Sequence, residues 1–305
     1  MKAKIGVPPF EEMHEVFYDE EKAKIYLIQN DILRMQIPCP YCGILNNWNL
    51  KNKSIRCTRY NCHKSYSVLL NTFFENAKLP LNKILLLAYL WILRMPVTSA
   101  VEMCNISNQS ACDYYEYFEN LVADEISDTI GKIGGQNVIV EIDESKFGSR
   151  KYYRGHHVEG TWIVGGVERT PERKLFAVAV EDRSTDTIKY ILENYVEPGS
   201  QIFTDYWKSY DTAITEINFV YEYEVFTHHK INHSETFVAE NGDHTNTIEG
   251  TWNGMKCTMT TTQKGKAKCP IHILTFIWRR QNKGNLWNSF LSSLKNLRLE
   301  NERLF

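Results

Sequence analysis

Three acidic residues, Asp143, Asp205 and Glu249, stand where divalent cations could use them. Asp143 ends a β-rich run, 138–143, in which Val138, Val140 and Ile142 fall on one side and Ile139, Glu141 and Asp143 on the other. Asp205 directly follows a second short apolar strand, 201–204. If the two strands are parallel neighbours, both carboxylates reach the same sheet edge. Three hard oxygen donors from separate elements suit Mg²⁺ or Mn²⁺. Two such ions roughly 3.5–4 Å apart can activate a water or a 3′-hydroxyl and stabilise the leaving oxygen of an in-line displacement. They also reverse the negative field that would repel a polyanion.

Glu249 has two readings. Asn246 followed by Glu249 fits a helix capping box, which needs no chemistry. Alternatively Glu249, Trp252, Asn253 and Lys256 share a helical face, with Gly250 and Gly254 small enough for close packing. Such a face presents a carboxylate, an indole and a cation to a bound strand. Glu141 and Glu144 read as supporting residues. His228, His229, His233 and His244 read as loop or DNA contacts rather than a second metal site, and Trp207 and Tyr210 as packing for the helix after Asp205.

A different chemistry is written in Cys39-Pro-Tyr-Cys42 and Cys57-Thr-Arg-Tyr-Asn-Cys62. Paired thiolates on tight turns complete a tetrahedral Zn²⁺ site, and a polar segment this short has too little core to fold without a staple. The second pair is wider than usual and adjoins His63, so the fourth ligand is either Cys62 or His63. Lys51, Lys53, Arg56, Arg59 and Lys64 would surround the knuckles. Cys104, Cys112, Cys257 and Cys269 have no metal-ligand spacing.

The elements that must position these residues divide the chain. Residues 1–36 read as a helical segment and 37–72 as a zinc ribbon. Residues 79–130 read as helices, with 97–115 resembling a helix-turn-helix whose second helix, capped by Ser107, would expose Asn108, Gln109 and Ser110 to a DNA groove. Plain helical packing is the alternative, since that segment lacks Lys and Arg. Gly134-Gly135 marks a linker. Beyond it, strands at 138–143, 161–168, 174–181 and 201–204, an amphipathic helix at 184–195 and a further strand at 219–225 indicate a mixed α/β domain over 138–290. A tail is expected at 291–305.

The net charge of −2 does not announce a polyanion partner, but its distribution does. Between Gly250 and Leu299 there is no acidic residue, while Lys256, Lys264, Lys266, Lys268, Arg279, Arg280, Lys283, Lys295 and Arg298 accumulate. The longest apolar run, 84–93, is far short of the about 20 residues a membrane span needs. The N-terminal sequence lacks the apolar stretch of a secretory signal. The expectation is an intracellular protein, nuclear if eukaryotic and otherwise cytoplasmic with the chromosome.

Several words of the sequence, taken together, resemble the Merlin superfamily of DDE transposases and its bacterial insertion-sequence relatives. They are Glu141-Ile-Asp-Glu-Ser-Lys-Phe-Gly148, Arg154-Gly-His-His-Val-Glu-Gly-Thr-Trp162, Val180-Glu-Asp-Arg-Ser184, Thr204-Asp-Tyr-Trp-Lys-Ser-Tyr210, Asn232-His-Ser234 and His244-Thr-Asn-Thr-Ile-Glu-Gly-Thr-Trp252. They cover roughly residues 138–283, and the cysteine segment is similar too. The resemblance implies an RNase H-like catalytic domain, a triad of Asp143, Asp205 and Glu249, and two catalytic Mg²⁺ or Mn²⁺ ions beside a structural Zn²⁺. It also implies cleavage at transposon terminal repeats and strand transfer into target DNA by a homo-oligomer. The alternatives are a domesticated DNA-binding protein that no longer cuts, and an RNase H-like nuclease without strand transfer.

Overall fold

The computed structural model describes residues 5–148, 160–231, 246–260 and 262–303. In chain order the elements are α1 (Phe10–Tyr18), α2 (Glu20–Gln29), β1 (Gln36–Pro38), β2 (Leu45–Asn47), β3 (Ser54–Arg56), β4 (Ser65–Ser67), α3 (Leu81–Ile92), α4 (Val97–Cys104) and α5 (Asn108–Thr129). There follow β5 (Ile133–Gly134), β6 (Ile139–Phe147), β7 (Thr161–Glu168), β8 (Leu175–Val180), α6 (Thr185–Tyr195), β9 (Val196–Glu197), β10 (Gln201–Thr204), α7 (Lys208–Tyr221) and β11 (Thr227–Lys230). The chain closes with α8 (Asn246–Thr258), a 3-10 turn (Thr262–Lys264), α9 (Cys269–Gln281) and α10 (Leu286–Arg303). Two compact units result: Met1–Glu125 with Asn282–Phe305, and Ile126–Gln281. No helix among the described residues is long and apolar enough to cross a membrane.

In the first unit, Asp19 separates α1 from α2 by accepting the amides of Glu21 and Lys22 at 2.8 and 3.0 Å, an N-cap that restarts the helix. The apolar run 84–93 is α3, buried along nearly all its length. Residues 36–68 form two short hairpins, β1–β2 and β3–β4. The expected tail is instead α10. Its Trp287, Phe290, Leu291 and Leu294 are buried at helical spacing, and the Trp287 indole donates to the Tyr26 hydroxyl at 2.7 Å.

The second unit is a five-stranded sheet in the order β11-β10-β6-β7-β8. β6, β7 and β8 are antiparallel neighbours, and β10 and β11 run parallel to β6. α6 supplies the crossover that a parallel β10 requires. Ser184 caps α6 through the Thr187 amide, and Ile188, Ile191 and Leu192 give it one buried face. With Ala213, Ile214 and Ile217 of α7 they pack on Val140, Ile142 and Ile202 to form the main core. This mixed α/β, RNase H-like architecture is the expected one. The strand expected at 219–225 is a correction. The buried positions Tyr210, Ala213, Ile214 and Ile217 propagate a helix through Tyr221, which Glu222 ends in a left-handed conformation (φ 59°). Phe219, Tyr221 and Tyr223 are exposed, so their alternation marks no buried strand face.

Candidate carboxylate site and cysteine cluster

Sheet register brings the first two acids together. Phe203 of β10 lies opposite Glu141 of β6. Asp205 directly follows the last residue of β10, and its charge is felt at the Asp143 carboxyl. Asp143 is half-buried, and burial raises its carboxyl to about 6. The Trp252 indole N–H opposes that rise, donating to Oδ2 at 2.9 Å, while the charges of Glu144 and Asp205 add to it. Asp205 Oδ1 accepts the Trp207 amide at 2.9 Å.

The third acid arrives on α8. Glu249 is exposed one turn before Trp252, so the Trp252–Asp143 bond places Glu249's helix against β6. Gly165, opposite Asp143 on β7, makes room for the indole: a Cβ there would lie 2.5 Å from the Trp252 ring. A second tie fixes the start of α8. Glu141 is fully buried; its Oε2 accepts the amides of Thr247 and Ile248, both at 2.9 Å, and its Oε1 the Arg169 Nε–H at 2.6 Å. A strand carboxylate thus satisfies two of the free amides of the helix's first turn, at the end where the helix dipole favours a negative charge. Lys256, one turn beyond Trp252, is half-buried over the Phe147 ring at 5.3 Å; burial lowers its pKa, with Asp143 opposing.

Arg183, which spacing does not single out, joins the other quoted words. Its guanidinium lies 3.8 Å from the Trp162 ring centroid and 4.5 Å from that of Trp207, and donates to Glu144 Oε1 at 3.0 Å. Tyr210, fully buried, donates to Glu144 Oε2 at 2.8 Å. Tyr210 therefore packs as expected, whereas Trp207 is exposed and covers Arg183. His228 contacts Thr204 Oγ1 at 2.9 Å and His229 stacks on Phe203 at 4.6 Å, both polar or stacking roles. Residues 154–159 of the second word, Asn232-His-Ser234, Glu240 and His244 lie outside the described residues.

Cys39, Cys42, Cys57 and Cys62 place their sulfurs within 4.8 Å of one another, the one such group of metal-ligating side chains among the described residues. Cys39–Cys62 and Cys42–Cys57 are 3.8 and 3.5 Å apart. A tetrahedron with Zn–S near 2.3 Å has sulfurs at about this separation, so the donor set fits Zn²⁺. The Ile44 amide holds the Cys42 thiol down at about 7. The choice between Cys62 and His63 falls to Cys62. His63 is left-handed (φ 47°) and its amide bonds to Arg59 O, as left-handed Gly43 (φ 73°) bonds to Cys39 O. His63 is thus the turn residue of its knuckle, and the two extra residues lengthen the loop. Buried Asn46 links the knuckles, donating to Tyr66 Oη at 3.1 Å and accepting the Thr58 amide at 2.9 Å.

The expected nucleic-acid residues distribute as follows. Asn108 and Gln109 are exposed and Ser110 half-buried at the start of α5, where Ser107 Oγ accepts the Ser110 amide at 3.1 Å. α4 and α5 are joined through left-handed Asn105. Lys256 and half-buried Lys264 are near enough for Lys264 to help lower the Lys256 pKa, and Lys266 and Lys268 are exposed beyond. Arg279 and Arg280 end α9, half-buried.

The mixed sheet, in the order β11-β10-β6-β7-β8, is RNase H-like in arrangement. Residues 132–268 match the family model of the ISXO2-like transposase domain. An uncharacterized transposase-like protein of Haemophilus influenzae is 35% identical over 83 residues, 27% of this chain. The chain spans 60% of that relative's length. A chain in the cryo-EM structure of the simian T-cell lymphotropic virus intasome with PP2A regulatory subunit B56 gamma matches at 12% identity. That match covers 60% of this chain and 66% of the other with a TM-score of 0.28, too low to support more.

Proposed function

We propose that the protein is a DDE transposase that cuts DNA at transposon ends and joins the freed 3′-hydroxyl to target DNA, with Asp143, Asp205 and Glu249 as its metal ligands. The observation that supports the reading is the parallel pairing of β10 with β6, with the Asp205 charge felt at Asp143, together with the Trp252 bond that ties Glu249's helix to the same strand. Two Mg²⁺ or Mn²⁺ ions held there would supply Lewis acidity and an activated hydroxyl. The chain's own residues prepare the site. Glu141 and Trp252 hold α8 on β6, Arg183 and Tyr210 keep Glu144 engaged, and Lys256 offers a cation beside the acids. Zn²⁺ on Cys39, Cys42, Cys57 and Cys62 would fold the ribbon. Asn108, Gln109 and Ser110 would read duplex DNA, while Lys256, Lys264, Lys266, Lys268, Arg279 and Arg280 would contact phosphates of the terminal repeats and target. The active form would be a homo-oligomer on DNA, working in the cell interior.

The test is cleavage and joining of terminal-repeat DNA with Mg²⁺ or Mn²⁺. Asp143→Asn, Asp205→Asn and Glu249→Gln should each fold, bind DNA and lose roughly 10²-fold or more in both steps. Double variants should be little worse than singles, because the ligands act as one unit. Near wild-type cutting by Glu249→Gln would remove it from the triad. Cutting without joining would reduce the reading to a nuclease, and binding without cutting to a domesticated DNA-binding protein.

A further inference from the structure

α8 has a second face. Thr247, Gly250, Thr251 and Gly254 point away from Glu249, Trp252 and Lys256 and form one wall of an open cavity of about 480 Å³. Arg173, from the turn between β7 and β8, and Phe276 and Arg280 of α9 line the rest. Arg280 is half-buried with Nη1 3.5 Å from Thr251 Oγ1, and no carboxylate pairs with Arg173 or Arg280 among the described residues. Burial first, and then the charge of Arg173, lower the pKa of Arg280, as expected of two cations sharing a concave, partly dry wall. Arg169 shows the contrast, since its guanidinium meets the buried Glu141 carboxylate at 2.6 Å. The first amides of α8 are already bonded to Glu141, so the helix terminus is not the donor here. What the cavity offers is two guanidinium forks above a floor flattened by two glycines, the Thr251 hydroxyl being donated to Thr247 O at 2.8 Å. Nothing lies within 4 Å of a Cβ position on Gly250, which leaves room for an elongated ligand.

We propose that this groove holds the phosphate backbone of DNA against the face of α8 turned away from Asp143, an inference that rests on DNA being the substrate. A strand seated there would grip the Glu249 helix from behind while the reacting phosphodiester lies in front. Arginine suits the task because its planar fork bonds two phosphate oxygens at once.

The test is duplex binding by the full chain without divalent metal, over roughly 50–200 mM salt. Arg173→Ala should weaken binding about 3- to 10-fold and lower the slope of log K against log salt by about one. Arg173→Lys should restore the slope, and Arg280→Lys should keep it while losing part of the affinity. Lys189→Ala, on α6 across the sheet, should change neither. Wild-type affinity and slope in Arg173→Ala, or an equal loss in Lys189→Ala, would overturn the groove while leaving the transposase reading intact. A wild-type chain that binds no duplex would overturn that reading, and the groove with it.

Discussion

The four thiols converge through two hairpins of one local stretch, residues 36–68, and their sulfurs already lie at metal-binding separation. Asp143, Asp205 and Glu249 instead come from two parallel strands and a helix far apart in the chain, and they form no such group of ligand atoms among the described residues. Metal binding to the thiols displaces their protons. At the acidic site, burial first and then the charges of Glu144 and Asp205 raise the Asp143 carboxyl, so bringing further acids close costs free energy. A local staple can be assembled in advance because two neighbouring hairpins carry all four ligands. A distributed acidic site must be held open by neighbours whose bonds make the crowding tolerable.

The largest effect should fall on the ribbon. Cys39→Ser or Cys57→Ser should lose zinc by elemental analysis and expose amides 36–68 to rapid exchange, since structural zinc contributes roughly 10–16 kcal/mol of folding free energy. Protection within residues 126–281 should persist. Zinc retained at full stoichiometry in both variants would show that the cluster is not the site.

Next comes Glu141. Glu141→Gln turns a buried carboxylate with three donors into an amide and leaves Arg169 without its anion. A loss of about 3–5 kcal/mol in unfolding free energy is expected, with exchange protection falling first in α8. A loss under about 1 kcal/mol would mean that α8 is anchored elsewhere.

Asp143 should act in the opposite direction. Its folded-state pKa of about 6 lies above the ordinary 3.8, so the metal-free folded protein binds the extra proton between these values. That contribution to stability is full below about pH 4 and is lost as pH rises through about 6. Asp143→Asn should therefore stabilise the metal-free protein at pH 7 by roughly 2–3 kcal/mol at most, and by little at pH 4. Equal melting temperatures at both pH values would contradict the shift. The smallest effect belongs to Trp252→Phe. Loss of the indole donor should push the Asp143 pKa further up in an NMR titration of metal-free protein, at about 1–2 kcal/mol of stability.

Much of this was legible in the residues. The alternation around Asp143, the crossover helix and the Cys pairs prescribe the sheet edge and the ribbon. What failed was local pattern without its tertiary partner. The aromatic alternation at 219–225 suggested a strand, but the buried spacing of Tyr210 to Ile217 prolongs a helix into it. The polar C-terminus suggested a tail, although Trp287, Phe290 and Leu294 already had helical spacing. The acid-free basic stretch looked like one footprint. The fold divides it: Lys283, Lys295 and Arg298 fall in the other compact unit, and Lys295 pairs with Asp31 at 3.0 Å. Arg183 and Glu141 could not be ranked from sequence, since their importance lies in contacts with residues distant in the chain.

Glu141 and Asp143 alternate on one strand, and each binds a different turn of α8, through the Thr247 and Ile248 amides and through the Trp252 indole. The helix's address is therefore written on β6. A single-residue insertion between Glu141 and Asp143 would turn one of the two to the other face of the sheet, and should abolish activity outright.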